Sequence, residues 1–237
     1  LLTAGSAVST ETGFKGLLAL AERFLPGQLS VGSMSGQILG PLRIEQLRYE
    51  DGPLKLTLAK GEFDWLPSQL FTGAVTVSRI QVEGLELHLP PGEKTAPAPR
   101  EPLVLPDIRL PLAVTLSDLQ GHAIRILPAG AEPIQIDALR LKARADAGGL
   151  HIETLEVQAP QGEASLSGQV NPAGGYPLQL QLDWQLPTPN YGLFKGHGEI
   201  QGELRDRLRL THTVTGAATL ELNGEVRQPL DPQPAWS

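Results

Sequence analysis

The 237-residue chain contains no cysteine, which excludes disulfides, thiolate nucleophiles and cysteine-based zinc sites. Aromatic rings are scarce, at 5% of residues against a hydrophobic fraction of 41%, so the apolar surface is aliphatic and led by leucine. Positive charge is in deficit: 19 Lys and Arg stand against 26 Asp and Glu, a net charge of -7. No Lys/Arg cluster forms a basic face, so nucleic acid is not an expected partner. Long apolar runs are missing too, since no stretch approaches the roughly 20 residues of a membrane-spanning helix. The short apolar segment Leu1 to Val8 reads as the stub of a removed anchor.

The chain is rich in 26 Gly and 21 Pro, spread along its whole length. They disfavour long helices and favour short strands ended by turns, which makes the composition all-β. One helix is expected, over Thr12 to Leu25, where Phe14, Leu17, Leu18, Ala21, Phe24 and Leu25 recur at helical spacing until Pro26-Gly27 stops it. Its readings are a cap on one end of a β core or contact with a membrane surface. From Leu29 the period switches to two. Leu42 and Ile44 give way to Leu47 and Tyr49 on the other parity, a slip that predicts a bulge, and Val75 and Val77 slip similarly to Ile80 and Val82. Leu54, Leu56 and Leu58 alternate cleanly, as do Leu85, Leu87 and Leu89, then Leu110, Leu112, Val114 and Leu116, and finally Leu178, Leu180, Leu182, Trp184 and Leu186. Each run offers one oily face and one wet one. A polar, proline-rich break at 91–102 separates first β units at 29–90 from further units at 103–237, with 1–28 as a membrane-proximal segment and capping helix. The chain ends at Trp236-Ser237 without a closing element, which suggests a longer parent.

Chemistry has no candidate. The five histidines His88, His122, His151, His197 and His212 lack metal-ligand spacing, so no metal and no cofactor is expected. Gly196-His197-Gly198-Glu199-Ile200-Gln201-Gly202 misses the phosphate-loop pattern and reads as turn glycines. Gly32-Ser33-Met34-Ser35-Gly36 misses the serine-hydrolase elbow because its serines hold the second and fourth places. Glu83 and Glu86 lie on polar positions of alternating strands, where solvated faces put charge. The chain is therefore not expected to be an enzyme. The aliphatic faces have two solutions: closure on a second sheet, which periodicity alone favours, or an open trough for an apolar ligand.

Several phrases in the first ninety residues bear on that choice: Thr10-Glu11-Thr12-Gly13, then Ala21-Glu22-Arg23-Phe24-Leu25-Pro26-Gly27, then Gly36-Gln37-Ile38-Leu39-Gly40-Pro41-Leu42-Arg43-Ile44. Phe63-Asp64-Trp65-Leu66-Pro67 and Val82-Glu83-Gly84-Leu85-Glu86-Leu87-His88-Leu89-Pro90 follow in order. This succession resembles the N-terminal region of the TamB family, AsmA-like inner-membrane proteins of Gram-negative bacteria. Residues from about 103 onward match only in style. The resemblance implies a periplasmic body, held to the inner membrane by an N-terminal anchor missing here, and a translocation and assembly module. It implies an elongated, curved antiparallel sheet, taco-like or β-helical, whose hydrophobic groove carries phospholipid acyl chains between the inner and outer membranes. It also implies a TamA-like outer-membrane barrel as partner, through a C-terminal region missing here. The lining is expected from Leu54, Leu56, Leu58, Leu85, Leu87, Leu89, Leu110, Leu112, Val114, Leu116, Leu178, Leu180, Leu182 and Trp184. The alternative role is a scaffold or chaperone that templates outer-membrane β-barrel strands by β-augmentation.

Overall fold

Alternation of aliphatic and polar residues, punctuated by Gly and Pro, produces thirteen strands among the described residues. In the computed structural model, which describes residues 27–37, 39–90, 105–108, 110–231 and 235–236, these are β1 (Gln28–Gly36), β2 (Leu42–Asp51), β3 (Leu54–Leu66), β4 (Ala74–Leu89), β5 (Ala113–Pro128), β6 (Ile134–Asp146) and β7 (Gly149–Ala159). They continue as β8 (Gly162–Val170), β9 (Pro177–Thr188), β10 (Gly192–Glu203), β11 (Arg207–Thr215), β12 (Leu220–Arg227) and β13 (Ala235–Trp236). The one helical element among the described residues is a 3-10 turn, Pro67–Thr72, between β3 and β4. The expected N-terminal helix, the stub before it and the proline-rich break lie outside the described residues.

The chain gathers into two compact units, one of residues 1–93 with 116–139, the other of residues 94–115 with 140–237, so the division runs inside both β5 and β6. In each unit the strands are hydrogen-bonded in chain order, and the pairings from β1 to β4 and from β7 to β13 are antiparallel. Sequential hairpins are the lowest-entropy way to pair strands, because each turn closes only a short loop.

In the first unit the register stacks like on like. Leu29, Tyr49, Leu56 and Leu87 form one row across β1 to β4, and Val31, Leu47, Leu58 and Leu85 form the next. Beyond them, Met34, Ile44, Gly61 and Val82 form a third row. Between the second and third rows the parity slips on every strand at once, and the predicted bulge at Leu42 to Tyr49 is absent. Glu45 still opposes Lys60 and Leu47 still opposes Leu58, so no residue is inserted. Instead Gln46 takes a left-handed φ of 54°, and Gly84 does the same at 67°. A left-handed residue turns the strand without changing its register, and the neighbouring strand turns with it. The later slip is a true bulge: Asp64 opposes Arg79 while Trp65 opposes Val77, leaving Ser78 extra on β4.

The turn is toward the aliphatic face. In a flat strand, residues three apart point to opposite faces. Here Leu58 Cδ2 lies 3.0 Å from where a Cβ on Gly61 would stand, and on β5 Ile124 Cδ1 lies 2.7 Å from the corresponding point on Gly121. A side chain from one side of the bend reaches over the glycine on the other, and the missing Cβ makes room for it.

Candidate functional site

The aliphatic faces are the candidate site. On β3, Leu56 sits between Tyr49 and Leu87, and Leu58 between Leu47 and Leu85. Leu54 is opposite Asp51 at the β2–β3 turn. Leu54, Leu56, Leu58, Leu85 and Leu87 are half-buried, and Leu89, where β4 ends, is exposed. The run from Leu110 is broken. Pro111 has no N–H to give to a ladder, and β5 starts only at Ala113, so Leu110 and the exposed Leu112 precede the strand while Val114 and Leu116 begin it.

In the second unit the rows are equally ordered. Leu178 opposes Val170 and Gly202, and Leu180 opposes Gly168 and Ile200. Leu182 opposes Leu166 and Gly198, and Trp184 opposes Ala164 and Gly196. Gly196 and Gly198 are therefore in the middle of β10 and not in a turn, which corrects the sequence reading. A Cβ on Gly196 would stand 2.1 Å from the Trp184 ring, and one on Gly198 would stand 2.5 Å from His212 Nδ1. The indole and imidazole lie across the strand over these two glycines, stacked with centroids 6.0 Å apart. Trp184 Nε1–H donates to His212 Nε2 at 3.3 Å. Two rings that would otherwise stand up from an aliphatic face are laid flat, and the indole N–H is satisfied.

Burial closes neither unit. Among the described residues Ile124, Tyr176 and Val226 are the buried large hydrophobics, and no side chain is fully buried. The lining leucines remain half-buried at best, and Leu182, Leu186, Leu220 and Leu222 are 39%, 39%, 63% and 49% exposed. A sheet packed face to face on another would bury these positions.

The opposite faces carry the charge. Glu86 accepts from the His88 imidazole at 2.8 Å and pairs with Arg125 at 3.5 Å, and Glu83 pairs with Lys60 at 3.5 Å. His197 is held between Asp183, at 2.7 Å, and Glu199, at 3.6 Å. Its pKa is raised above 6.5, chiefly by the hydrogen bond to Asp183, with desolvation opposing and the Asp183 and Glu199 charges adding. A hollow of about 480 Å³ runs beside this group, between rows that include Glu156, Ser165, His197 and Thr213 on one side and Glu163 and Lys195 on the other. It lies on the hydrophilic face, where exposed polar chains stand up from the pleat, and among the expected lining residues only Trp184 borders it.

Sequence reasoning missed a cluster at the strand ends of the second unit. Tyr176, left-handed at φ 57° and buried, donates its hydroxyl hydrogen bond to the Pro106 carbonyl. The Arg205 guanidinium lies 5.0 Å from its ring centroid and donates to the Leu105 carbonyl at 2.6 Å. Ile108 N–H donates to the Pro172 carbonyl at 2.8 Å, so the segment 105–108 is strapped to the β8–β9 and β10–β11 turns. The Gly-Gly-Tyr of the first turn was the only sequence signal.

No helix among the described residues is long and apolar enough to cross a membrane. No solved structure matches the chain. The family model described as "TamB, N-terminal domain" matches residues 1–103 and 91–235. With nearly every residue covered and the quoted phrases in order, the chain belongs to the TamB N-terminal domain family.

Proposed function

We propose that the chain carries phospholipid across the periplasm by sheltering acyl chains on its aliphatic faces, as part of a translocation and assembly module anchored in the inner membrane, and that it does so without catalysis. The observation that carries this reading is the unfinished burial: ordered rows of leucine stay half-open where a self-contained domain would close them. Membership of the TamB family supports the translocation and assembly setting. The energetics suit the task. Exposing a lipid tail to water costs about 0.8 kcal/mol per methylene, so two chains of roughly 16 carbons face a barrier on the order of 25 kcal/mol. Leucine rows at strand spacing, about 4.8 Å, offer a lining that lowers it. In the first unit the left-handed Gln46 and Gly84 accompany a bend at which Leu58 reaches over Gly61, in the next apolar row.

The test is mass spectrometry of lipid that co-purifies with the chain from bacterial membranes in mild detergent. The parent is expected to retain phospholipid, and Leu87→Asp with Leu182→Asp is expected to lose most of it while circular dichroism stays strand-like. Equal lipid on both proteins, or none on the parent, would sink the reading. In the latter case crosslinks from β1, the first strand among the described residues, to unfolded barrel substrates would favour β-augmentation.

A further inference from the structure

The hairpin that joins β3 to β4 ends in an uncharged knuckle with exposed apolar side chains that the lipid-carrying reading leaves unused. From Trp65 to Ser78 no residue is charged, in a chain of net charge -7. At its tip Phe71 is 94% exposed, and Leu66 and Leu70 are 43% and 45% exposed. The tip is built to hold them there. Pro67 occupies the first turn of the 3-10 element, Gly73 is left-handed at φ 76° and closes it through an N–H donated to the Leu70 carbonyl at 3.2 Å, and Thr72 Oγ1–H donates to the Gln69 carbonyl at 2.8 Å. A proline at the entry and a glycine at the exit fix the backbone. Phe71 is thus presented outward by a defined turn.

We propose that this tip inserts into the interfacial layer of a lipid bilayer. Three features select a bilayer over a protein. The tip is convex and narrow, and a ring with two leucines offers a few hundred Å² at most, whereas a stable protein interface needs roughly 800 Å² per partner. A fluid bilayer closes around whatever enters it, so a small protrusion suffices. The uncharged stretch ends at Asp64 and Arg79, which oppose each other across β3 and β4. A collar of charge below an uncharged tip sets a depth: apolar side chains enter and the charged pair stays in water. Aromatic side chains are favoured at that level of a membrane.

The experiment uses the full chain with vesicles of phosphatidylcholine alone, whose zero net charge removes simple charge attraction. The chain is expected to float with the vesicles, and equally in low and high salt, because an uncharged contact is not screened. Phe71→Asp and Leu70→Asp are each expected to lower the partition coefficient about tenfold or more, from the transfer free energy of one such side chain. Phe71 is exposed, so its loss leaves folding intact. As a second readout, Phe71→Trp is placed in a chain whose Trp65, Trp184 and Trp236 are replaced by phenylalanine. Its emission is expected to shift blue on vesicle addition and to be quenched by lipids brominated near the headgroup end of the chain. A parent that does not float overturns the proposal. So does flotation unchanged by Phe71→Asp, or an indole at position 71 that keeps its emission in water, since binding then belongs to another surface.

Discussion

His197 shows how a single residue on the hydrophilic face can be interrogated. It faces Asp183 directly across β9 and β10, with Glu199 two positions along its own strand. The raised pKa means that the folded state holds the proton more tightly than the unfolded chain. The ion pair's contribution to stability is then complete below the ordinary value of about 6.5 and is lost as pH rises through the folded value. A ring-proton NMR titration is expected to place the His197 midpoint above 6.5, and Asp183→Asn to bring it down. A midpoint unmoved by that substitution would mean that the hydrogen bond is not formed in solution. Solvent screening keeps the effect on stability small. Nothing in the alternation pointed to this pairing, because contact between positions 183 and 197 depends on a hairpin register that periodicity leaves open. The same is true of the glycines beneath Trp184 and His212. A glycine in an alternating run signals either a turn or a close approach, and only the ring lying over it distinguishes the two.

At the scale of the strand, the coordinated bend in the first unit is the informative feature. Parity slips were visible in the sequence on β2 and β4, and one of them is the bulge at Ser78. The other could not be recognised as a bend, because a bulge and a left-handed residue shift the alternation identically and differ only in whether the partner strand shifts with them. Gln46 and Ala123 make the point, since neither is a residue type that announces a left-handed backbone, yet they hold φ of 54° and 52°. For an L-residue that conformation costs about 1–2 kcal/mol, and glycine avoids the cost while losing roughly 0.5–1 kcal/mol to unfolded-state entropy. Ala123→Gly is therefore expected to stabilise the chain by about 0.5–1 kcal/mol, read as a higher urea midpoint with an unchanged slope. The converse substitution, Gly84→Ala, should destabilise it, because Gly84 is left-handed and a Cβ there would stand 2.9 Å from that of Ala59. A loss of stability in Ala123→Gly would show that the bend on β5 is not left-handed in solution. The all-β class, the antiparallel hairpins and most strand positions were legible, because alternation and Gly/Pro punctuation are local signals. Leu110 and Leu112 failed as strand residues for an equally local reason, the proline between them.

For the molecule as a whole, the question is whether its aliphatic faces are a deficient core or a working surface. Sequence periodicity could not decide, since a leucine row looks the same whether a second sheet or a lipid covers it. Exposure among the described residues favours the surface. The two possibilities also differ in how stability responds to ligand. Anything that binds the folded chain alone stabilises it by RT ln(1 + [L]/Kd), about 2.7 kcal/mol at a hundredfold excess over Kd. If acyl chains lie on the leucine rows, each added methylene removes more apolar area from water, and affinity should climb by up to about 0.8 kcal/mol per methylene until the rows are filled. Thermal melts with monomeric phosphatidylglycerols of increasing chain length, kept below their aggregation limits, are expected to show a midpoint that rises with each step and then levels off. Leu87→Asp and Leu182→Asp should each flatten that rise by interrupting one face. A midpoint that moves equally for every chain length would assign binding to the headgroup and to the hydrophilic side of the sheet, leaving the leucine rows without a ligand.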